Sequence, residues 1–588
     1  MVYPLMCRDR QLRLCKLIVI FLTVLLCTLK CYADVTNLKE NSEKEIALIN
    51  GKIFVEENNF SEALLIKDRI INAVGNNREI LSKLTPIKSQ SKVIDLNGAT
   101  VIPGLIDSHI HAVRAGLTYG NEVNWIGVKD LSAALSLIKA KASTTPKKQW
   151  VIVAGGWSEN QFKERRKPTL VEIEKVSLGH PVYIQHFYDS ILLSLEGIRQ
   201  LQKNPQVKSN SIKHSEISEL FSRLTPEQNT NQTYSDWLSG TSRTISDVYN
   251  LLPTTHSYYR NKGTTDFFRE LNSLGITGVM DPGGYNLPLN AYDTVKSLDL
   301  SQKLSLKIRY NICAPRRGQE LNDFQTIRNA LQNIKESNFF KFNGLGENVT
   351  WSMYNNENPT SKEKEQLKEV LLWAANQNLG ITLHWNNNES LHHLLDVLEA
   401  VNEQQTIRPL RWSIAHISDV SNENLVRMIV LGIGWLVQNN FYYQGEIFIK
   451  KRGEAASLFI PRIQSALALG IKVSAGTDAH RVMSYNPFTS LQWLLDGQTA
   501  AGLVMGSSNE RPTREQALSL YTNNSAWFSF EELTRGKLRP GYTADLAVLD
   551  KDYFSIPIDN ISTIKSMMTI VDGKIVYLKP KSKLLFQH

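Results

Sequence analysis

Val101-Ile102-Pro103-Gly104-Leu105-Ile106-Asp107-Ser108-His109-Ile110-His111 is the stretch whose reading decides the fold. Apolar residues on either side of Pro103-Gly104 read as a short core strand that runs out to a rim and ends in a His-x-His pair. On an extended chain, residues two apart face the same side, so His109 and His111 can grip one ion together. Imidazole nitrogens suit zinc and its first-row neighbours, but two histidines make an incomplete site, and a bare His-x-His recurs by chance. The remaining ligands must therefore stand at the ends of comparable strands further along the chain.

Seven further apolar runs follow, at 275–281, 306–312, 339–342, 381–384, 412–416, 433–438 and 471–478, with helical sequence between most of them, as at 362–377 and 422–431. With the first run they make eight strands alternating with helices. A (β/α)8 TIM-like barrel is the economical closure, and its site lies at the C-terminal ends of the strands. Polar residues stand at those ends: His109 and His111 on the first strand, Lys341 on the fourth, His384 on the fifth, His416 on the sixth and Asp478 on the eighth. Singly, each has an ordinary structural explanation: a hydrogen-bonded core histidine, a turn aspartate, a snorkelling lysine. Converging from five strands, they make a ring of ligands for one or two divalent ions, zinc by donor type.

The flanks differ in style. Short apolar runs separated by tight turns fill 34–100, and 531–588 returns to them, so both ends of the mature chain are expected to build one small β-sandwich. The predicted order is a sandwich half at 34–100, the first barrel strand at 101–118, a large substrate-side insertion at 119–262, the rest of the α/β barrel at 263–530, and the second sandwich half at 531–588. Within the insertion, 150–157 and 181–186 read as strands, and 203–244 as a polar loop.

Residues 1–33 read as a secretory signal peptide: Arg8, Arg10, Arg13 and Lys16, then an apolar run from Leu17 to Leu29, then a small residue, Ala33, before Asp34. The run is shorter than the roughly 20 residues that span a membrane. The expected location is periplasmic or secreted, without membrane insertion once the leader is removed. Cys31 invites lipidation, but Lys30 stands where such signals want a small residue. Cleavage leaves Cys313 as the only cysteine, so the mature chain folds on core burial rather than on an internal disulfide. The leader carries five Lys or Arg against one Asp, and removing it takes the formal charge from +9 to +5. Over a chain of this length that is no nucleic-acid footprint.

The chain after the leader resembles the amidohydrolase superfamily, in the third subfamily, the group that includes N-substituted formamide deformylase. The matching pieces are the Pro103 to His111 stretch, Gly155-Gly156-Trp157, Gly275-Ile276-Thr277, Ile414-Ala415-His416, Gly476-Thr477-Asp478 and Gly541-Tyr542-Thr543-Ala544-Asp545-Leu546. Two places depart from the pattern. Lys341 continues into Phe342-Asn343-Gly344-Leu345-Gly346 where Asp-Gly-Ser is usual, and His384 opens Trp385-Asn386-Asn387-Asn388 where x-Ile-Gly-Asp is usual. The resemblance implies hydrolysis of an amide, formamide or cyclic amide C–N bond by metal-activated water, with Asp478 as proton shuttle and Lys341 a ligand only as its carbamate. It further implies a small-molecule substrate and allows a homodimer. A deaminase or ester hydrolase on the same site, or an inactive barrel kept for binding, are the alternatives. Asp281, His186 and His480 are expected to be substrate-facing or structural, and Trp157, Trp385 and Tyr443 either line a pocket or pack.

Export is testable directly. Exported protein should begin at Asp34 by N-terminal sequencing, deletion of 1–33 should leave the chain in the cytoplasm, and Cys313→Ser should fold. An exported chain with an intact leader refutes the cleavage.

Overall fold

The computed structural model describes residues 45–85, 91–204, 237–253, 257–284, 287–332, 336–458 and 460–587. The expected leader and most of the polar loop at 203–244 lie outside them.

Eight strands pair in parallel in chain order. They are numbered here β1 (Leu105–Asp107), β2 (Ile276–Asp281), β3 (Lys307–Ile312), β4 (Phe340–Leu345), β5 (Gly380–His384), β6 (Ser413–Ala415), β7 (Gly434–Gln438) and β8 (Val473–Gly476). Parallel strands need helices over their outer face, and near-continuous apolar runs supply the surface those helices cover. Leu105, Ile276, Ile308, Phe340, Ile381, Ile414, Trp435 and Val473 from the strands share one buried core with helix residues such as Leu371, Leu394 and Leu425. The helices begin where the sequence caps them. Ser361–Asn376, for example, starts after Thr360, whose hydroxyl accepts the Glu363 N–H while the Glu363 carboxylate accepts the Thr360 N–H.

β1 and β8 meet through Asp107. Its carboxylate accepts the Thr477 N–H (3.1 Å), the Thr477 hydroxyl (2.6 Å) and the His109 N–H (3.1 Å). Beside it, the Ser108 N–H donates to the Ala475 carbonyl and the Asp478 N–H to the His109 carbonyl (2.7 Å). Gly476 permits this approach, since a Cβ there would stand 2.4 Å from the His109 nitrogen.

Both chain ends build the two remaining large sheets. The five-stranded sheet pairs Leu585–Gln587 with Ser91–Asp95, and the six-stranded sheet pairs Leu546–Leu549 with Thr100–Pro103. Thr100–Pro103 was expected to open the first barrel strand from residue 101. It lies in the sandwich sheet instead, its other edge against Lys52–Glu56. Gly104 turns the chain between the two units, packed so closely that a Cβ would meet the Thr277 side chain at 2.3 Å.

The insertion carries its own four-stranded sheet, in the order Leu238–Ser239, Ser190–Leu193, Val182–His186, Val151–Val153, over a core that includes Trp125, Trp157 and Phe162. Gly155-Gly156 fasten it to the loop after β8. The Gly156 N–H donates to the Arg481 carbonyl (2.9 Å), and Cβ atoms at the two glycines would lie 2.1 Å from the Arg481 oxygen and 2.6 Å from that of His480. No helix among the described residues is long and apolar enough to cross a membrane.

At the N-terminal end of the barrel a buried charge network ties β3 to the sandwich. Lys307 Nζ donates to both Asp545 oxygens at 3.0 Å, and Arg535 bridges Asp545 (2.9 Å) and Glu531 (2.8 Å). Arg309 donates to Glu531 from the next inward position (3.1 Å). Burial pushes the Asp545 carboxyl up, but Lys307 and Arg535 outweigh it and hold it below its ordinary value. Removing one partner of a buried pair strands the others, which costs about 3–5 kcal/mol. Asp545→Ala should therefore lower unfolding stability by that order in chemical denaturation, while Lys83→Ala, whose pair with Glu79 is exposed, should change it by less than about 1 kcal/mol. Equal effects would refute a structural role for the network.

Candidate metal centre

The C-terminal rim brings five of the predicted residues together: His109, His111, His384, His416 and Asp478. They surround a sixth that the sequence reading missed, Glu347. Its carboxylate lies 2.8 Å from His384 Nδ1, 3.0 Å from His416 Nε2, 3.3 Å from His109 Nε2 and 3.5 Å from His111 Nε2. Asp478 Oδ1 sits 3.4 Å from His111 Nε2 and 3.7 Å from His109 Nε2.

Lys341 is not at this place. It is the second residue of β4, paired with Arg309, whose guanidinium holds Glu531 in the network at the other end of the barrel. Leu345, the last residue of the strand, lies four positions further on, which at about 3.3 Å per residue is roughly 13 Å. The apolar run in the sequence ends at Phe342, but β4 continues through Asn343-Gly344-Leu345. Phe342 pairs with Tyr310 and Gly344 with Asn311, so Asn343 is the extra residue of a β-bulge. Gly344 and Gly346 (φ 153° and 138°) lie against β5, where Cβ atoms would stand 2.0 Å from the Gly380 carbonyl and 2.3 Å from that of Thr382. The strand therefore delivers Glu347 to the rim. A carboxylate just beyond a Gly-x-Gly that follows an apolar run was the available signal.

The ring nitrogens are set by their outer partners. His111 Nδ1 lies 2.7 Å from the Gly283 carbonyl and must donate there, which leaves the Nε2 lone pair facing Glu347 and Asp478. His384 Nε2 lies 2.9 Å from both Asn386 Oδ1 and Tyr354 Oη, and its Nδ1 faces Glu347. His416 and Asp478 both have left-handed backbone (φ 69° and 54°), uncommon for side-chain-bearing residues. His416 is held by its N–H to Gln438 Oε1 (2.8 Å), and Asp478 by its N–H to the His109 carbonyl.

Charge in the cluster is balanced by mutual contact. Burial alone would raise the Glu347 carboxyl, but the imidazoles of His384, His109 and His416 hold it well below the ordinary carboxylate range. Asp478 is lowered in the same way, burial being outweighed by His416, His111 and His109. Burial, with His384 beside it, pushes His416 down to about 4, so its imidazole is neutral at neutral pH and free to ligate.

The set fits a divalent cation. Both ring nitrogens of His109, which is 0 % exposed, and Nδ1 of His416 are buried without a hydrogen-bond partner among the described residues. Tetrahedral ligands at about 2.0–2.1 Å from a zinc ion stand roughly 3.3 Å apart, and the nitrogen-to-oxygen separations of 3.3 to 3.7 Å among His109, His111, Glu347 and Asp478 are of that size. Glu347 is shared by two groupings of donors, one with His109 and His111 and one with His384 and His416.

The other predicted residues fall around the centre. The Asp281 carboxylate accepts the N–H groups of Val113 and Gly283, beside His111. His480 pairs with Glu122 (3.0 Å) and His186 with Glu159 (2.7 Å). Trp157 and Trp385 are packed in cores, and the Tyr443 hydroxyl donates to the Gly156 carbonyl. A cleft of about 210 Å³ opens beside His416 instead, with Gln438, Asn440, Phe441, Phe448 and Trp493 in its wall.

Comparison with known proteins gives the same picture. The chain is 23 % identical over 565 residues to N-substituted formamide deformylase from Arthrobacter pascens, covering 91 % of this chain and 98 % of that one. It is 21 % identical over 546 residues to the putative amidohydrolase YtcJ of Bacillus subtilis (strain 168), covering 89 % and 97 %. In fold it is similar to an uncharacterized metal-dependent hydrolase from Pyrococcus horikoshii OT3, with a TM-score of 0.62 at 17 % identity over 88 % of this chain and 99 % of that one. The amidohydrolase family model matches residues 92–577, and with barrel, sandwich and rim cluster in place the chain belongs to that family.

Proposed function

We propose that this protein is a metal-dependent hydrolase of a carbon–nitrogen bond, an amide, formamide or cyclic amide, in a small molecule. The observation that carries the reading is Glu347, one buried carboxylate shared between two sets of imidazoles, with Asp478 completing the first set. His109, His111 and Asp478 would hold one ion, His384 and His416 a second, and Glu347 would bridge them. Imidazole and carboxylate donors favour zinc. A divalent ion so held lowers the pKa of water from 15.7 to about 7 and polarises a carbonyl.

The chain's own residues supply the rest. Asp478 is buried and kept ionised, with Oδ1 turned to His109 and His111 and Oδ2 no nearer than 3.8 Å to His416 Nδ1. Oδ2 is thus placed to take a proton from the attacking water and pass it to the leaving nitrogen. The Gly283 carbonyl and Asn386 fix the rings of His111 and His384. The similarity to N-substituted formamide deformylase along nearly its whole length supports an amide-type substrate. A complete donor set speaks against a barrel kept only for binding, and the basic-apolar leader supports action outside the cytoplasm.

His109→Ala, His111→Ala, Glu347→Ala and Asp478→Asn should each lower kcat/KM on an N-acyl or N-formyl amine by about three orders of magnitude or more, with the fold retained by circular dichroism. Glu347→Ala should also lose metal by elemental analysis, whereas Lys341→Ala should keep both metal and activity. Purified protein that holds no metal and takes up none on addition refutes the reading.

A further inference from the structure

Gln438 is the last residue of β7 and is 7 % exposed. Its Oε1 accepts the backbone N–H of His416 at 2.8 Å. That bond fixes the orientation of the amide, because only the oxygen can meet an N–H. The other arm, Nε2, is thereby committed as a donor. It is buried and has no partner among the described residues, although Gln438 forms part of the cleft wall beside His416. Trp493, in the same wall, likewise has a buried indole N–H without a partner. Asn440, also in the wall, has a buried Oδ1 acceptor in the same state. A buried polar group left unmet is destabilising, so two donors and one acceptor in one wall imply a ligand that brings both kinds of partner, as a carboxamide does.

The remaining wall limits what that ligand is. Among the described residues, Phe441 and Phe448 give it an apolar side, no carboxylate lines it, and the one charged residue is Lys451. A cationic group finds no counter-charge there, whereas an oxygen acceptor on an apolar body finds two donors and an aromatic wall.

We propose that Gln438 is a specificity-determining residue of this cleft, donating from Nε2 to the carbonyl oxygen of a neutral carboxamide whose aryl or bulky alkyl substituent lies on Phe441 and Phe448, with Trp493 as second donor. The proposal deepens the hydrolase reading and rests on it for the meaning of the bound amide, but the binding event itself requires no turnover.

The test uses benzamide as probe and benzylamine, a cation without the oxygen, as control. Binding is measured by calorimetry on the full mature chain, metal-loaded and chelator-treated, with metal content determined in parallel. Wild-type protein should bind benzamide about tenfold or more tighter than benzylamine. Gln438→Glu keeps an oxygen for the His416 N–H but replaces the donor by an acceptor. It should weaken benzamide by roughly tenfold with metal content and Tm unchanged, while Gln438→Leu, losing both bonds, should also disturb metal binding through His416. Unchanged benzamide affinity in Gln438→Glu overturns the proposal. So does tighter binding of benzylamine than of benzamide by the wild type, a comparison that does not depend on any variant folding. Benzamide binding with the expected Gln438 dependence, in protein that neither holds metal nor hydrolyses amides, would leave this subsite standing and remove the hydrolase reading.

Discussion

The Asp107 carboxylate joins the first barrel strand to the last, and the geometry of the rim depends on that junction. It accepts two bonds from Thr477 and one from the His109 backbone, all in a buried setting. Burial pushes its carboxyl up to about 7, against these donors. Because it holds His109 itself and the neighbour of Asp478, closing the barrel and aligning two of the site's donors are one event. Gly476 is part of the same constraint, since a larger residue would push against the His109 backbone.

The two ends of the barrel use charge in opposite ways. At the N-terminal end Lys307, Arg309 and Arg535 are balanced by Glu531, Asp545 and Asp572, which ties the barrel to the sandwich. At the C-terminal end four imidazoles and two carboxylates converge with ring nitrogens left unpaired. A buried group of the first kind balances its charge internally, while one of the second kind presents open donors that fit a cation. This contrast separates a structural cluster from a functional one, although both consist of buried polar side chains.

The insertion is fastened over the rim rather than merely placed beside it. Gly155 and Gly156 allow backbone to meet backbone at His480 and Arg481, two and three residues past Asp478. Tyr443, from the helix that follows β7, donates to Gly156 and so joins the same contact. The loops after β7 and β8 are held by the inserted sheet, which orients the wall that carries Phe441 toward His416.

Much of this was legible in the linear chain. The period of an extended strand put His109 and His111 on one side, the alternation of apolar runs and helices called for a barrel, and His384, His416 and Asp478 stood at the ends of their runs. Both flanks shared a turn-rich style that predicted their joint sandwich. What the sequence could not determine were properties of pairing. Residue 101 reads as barrel strand because Val101-Ile102 is apolar in either unit, and only its partner at Leu546–Leu549 assigns it to the sandwich. The run holding Lys341 reads as ending at Phe342, and only the close approach of Gly380 and Thr382 extends β4, bringing Glu347 rather than Lys341 to the rim. Gln438 gains its fixed donor only when a left-handed His416 turns its N–H toward it. Local periodicity is written residue by residue, whereas register and side-chain orientation come from contacts between segments far apart in the chain, and those exist only once the barrel has closed.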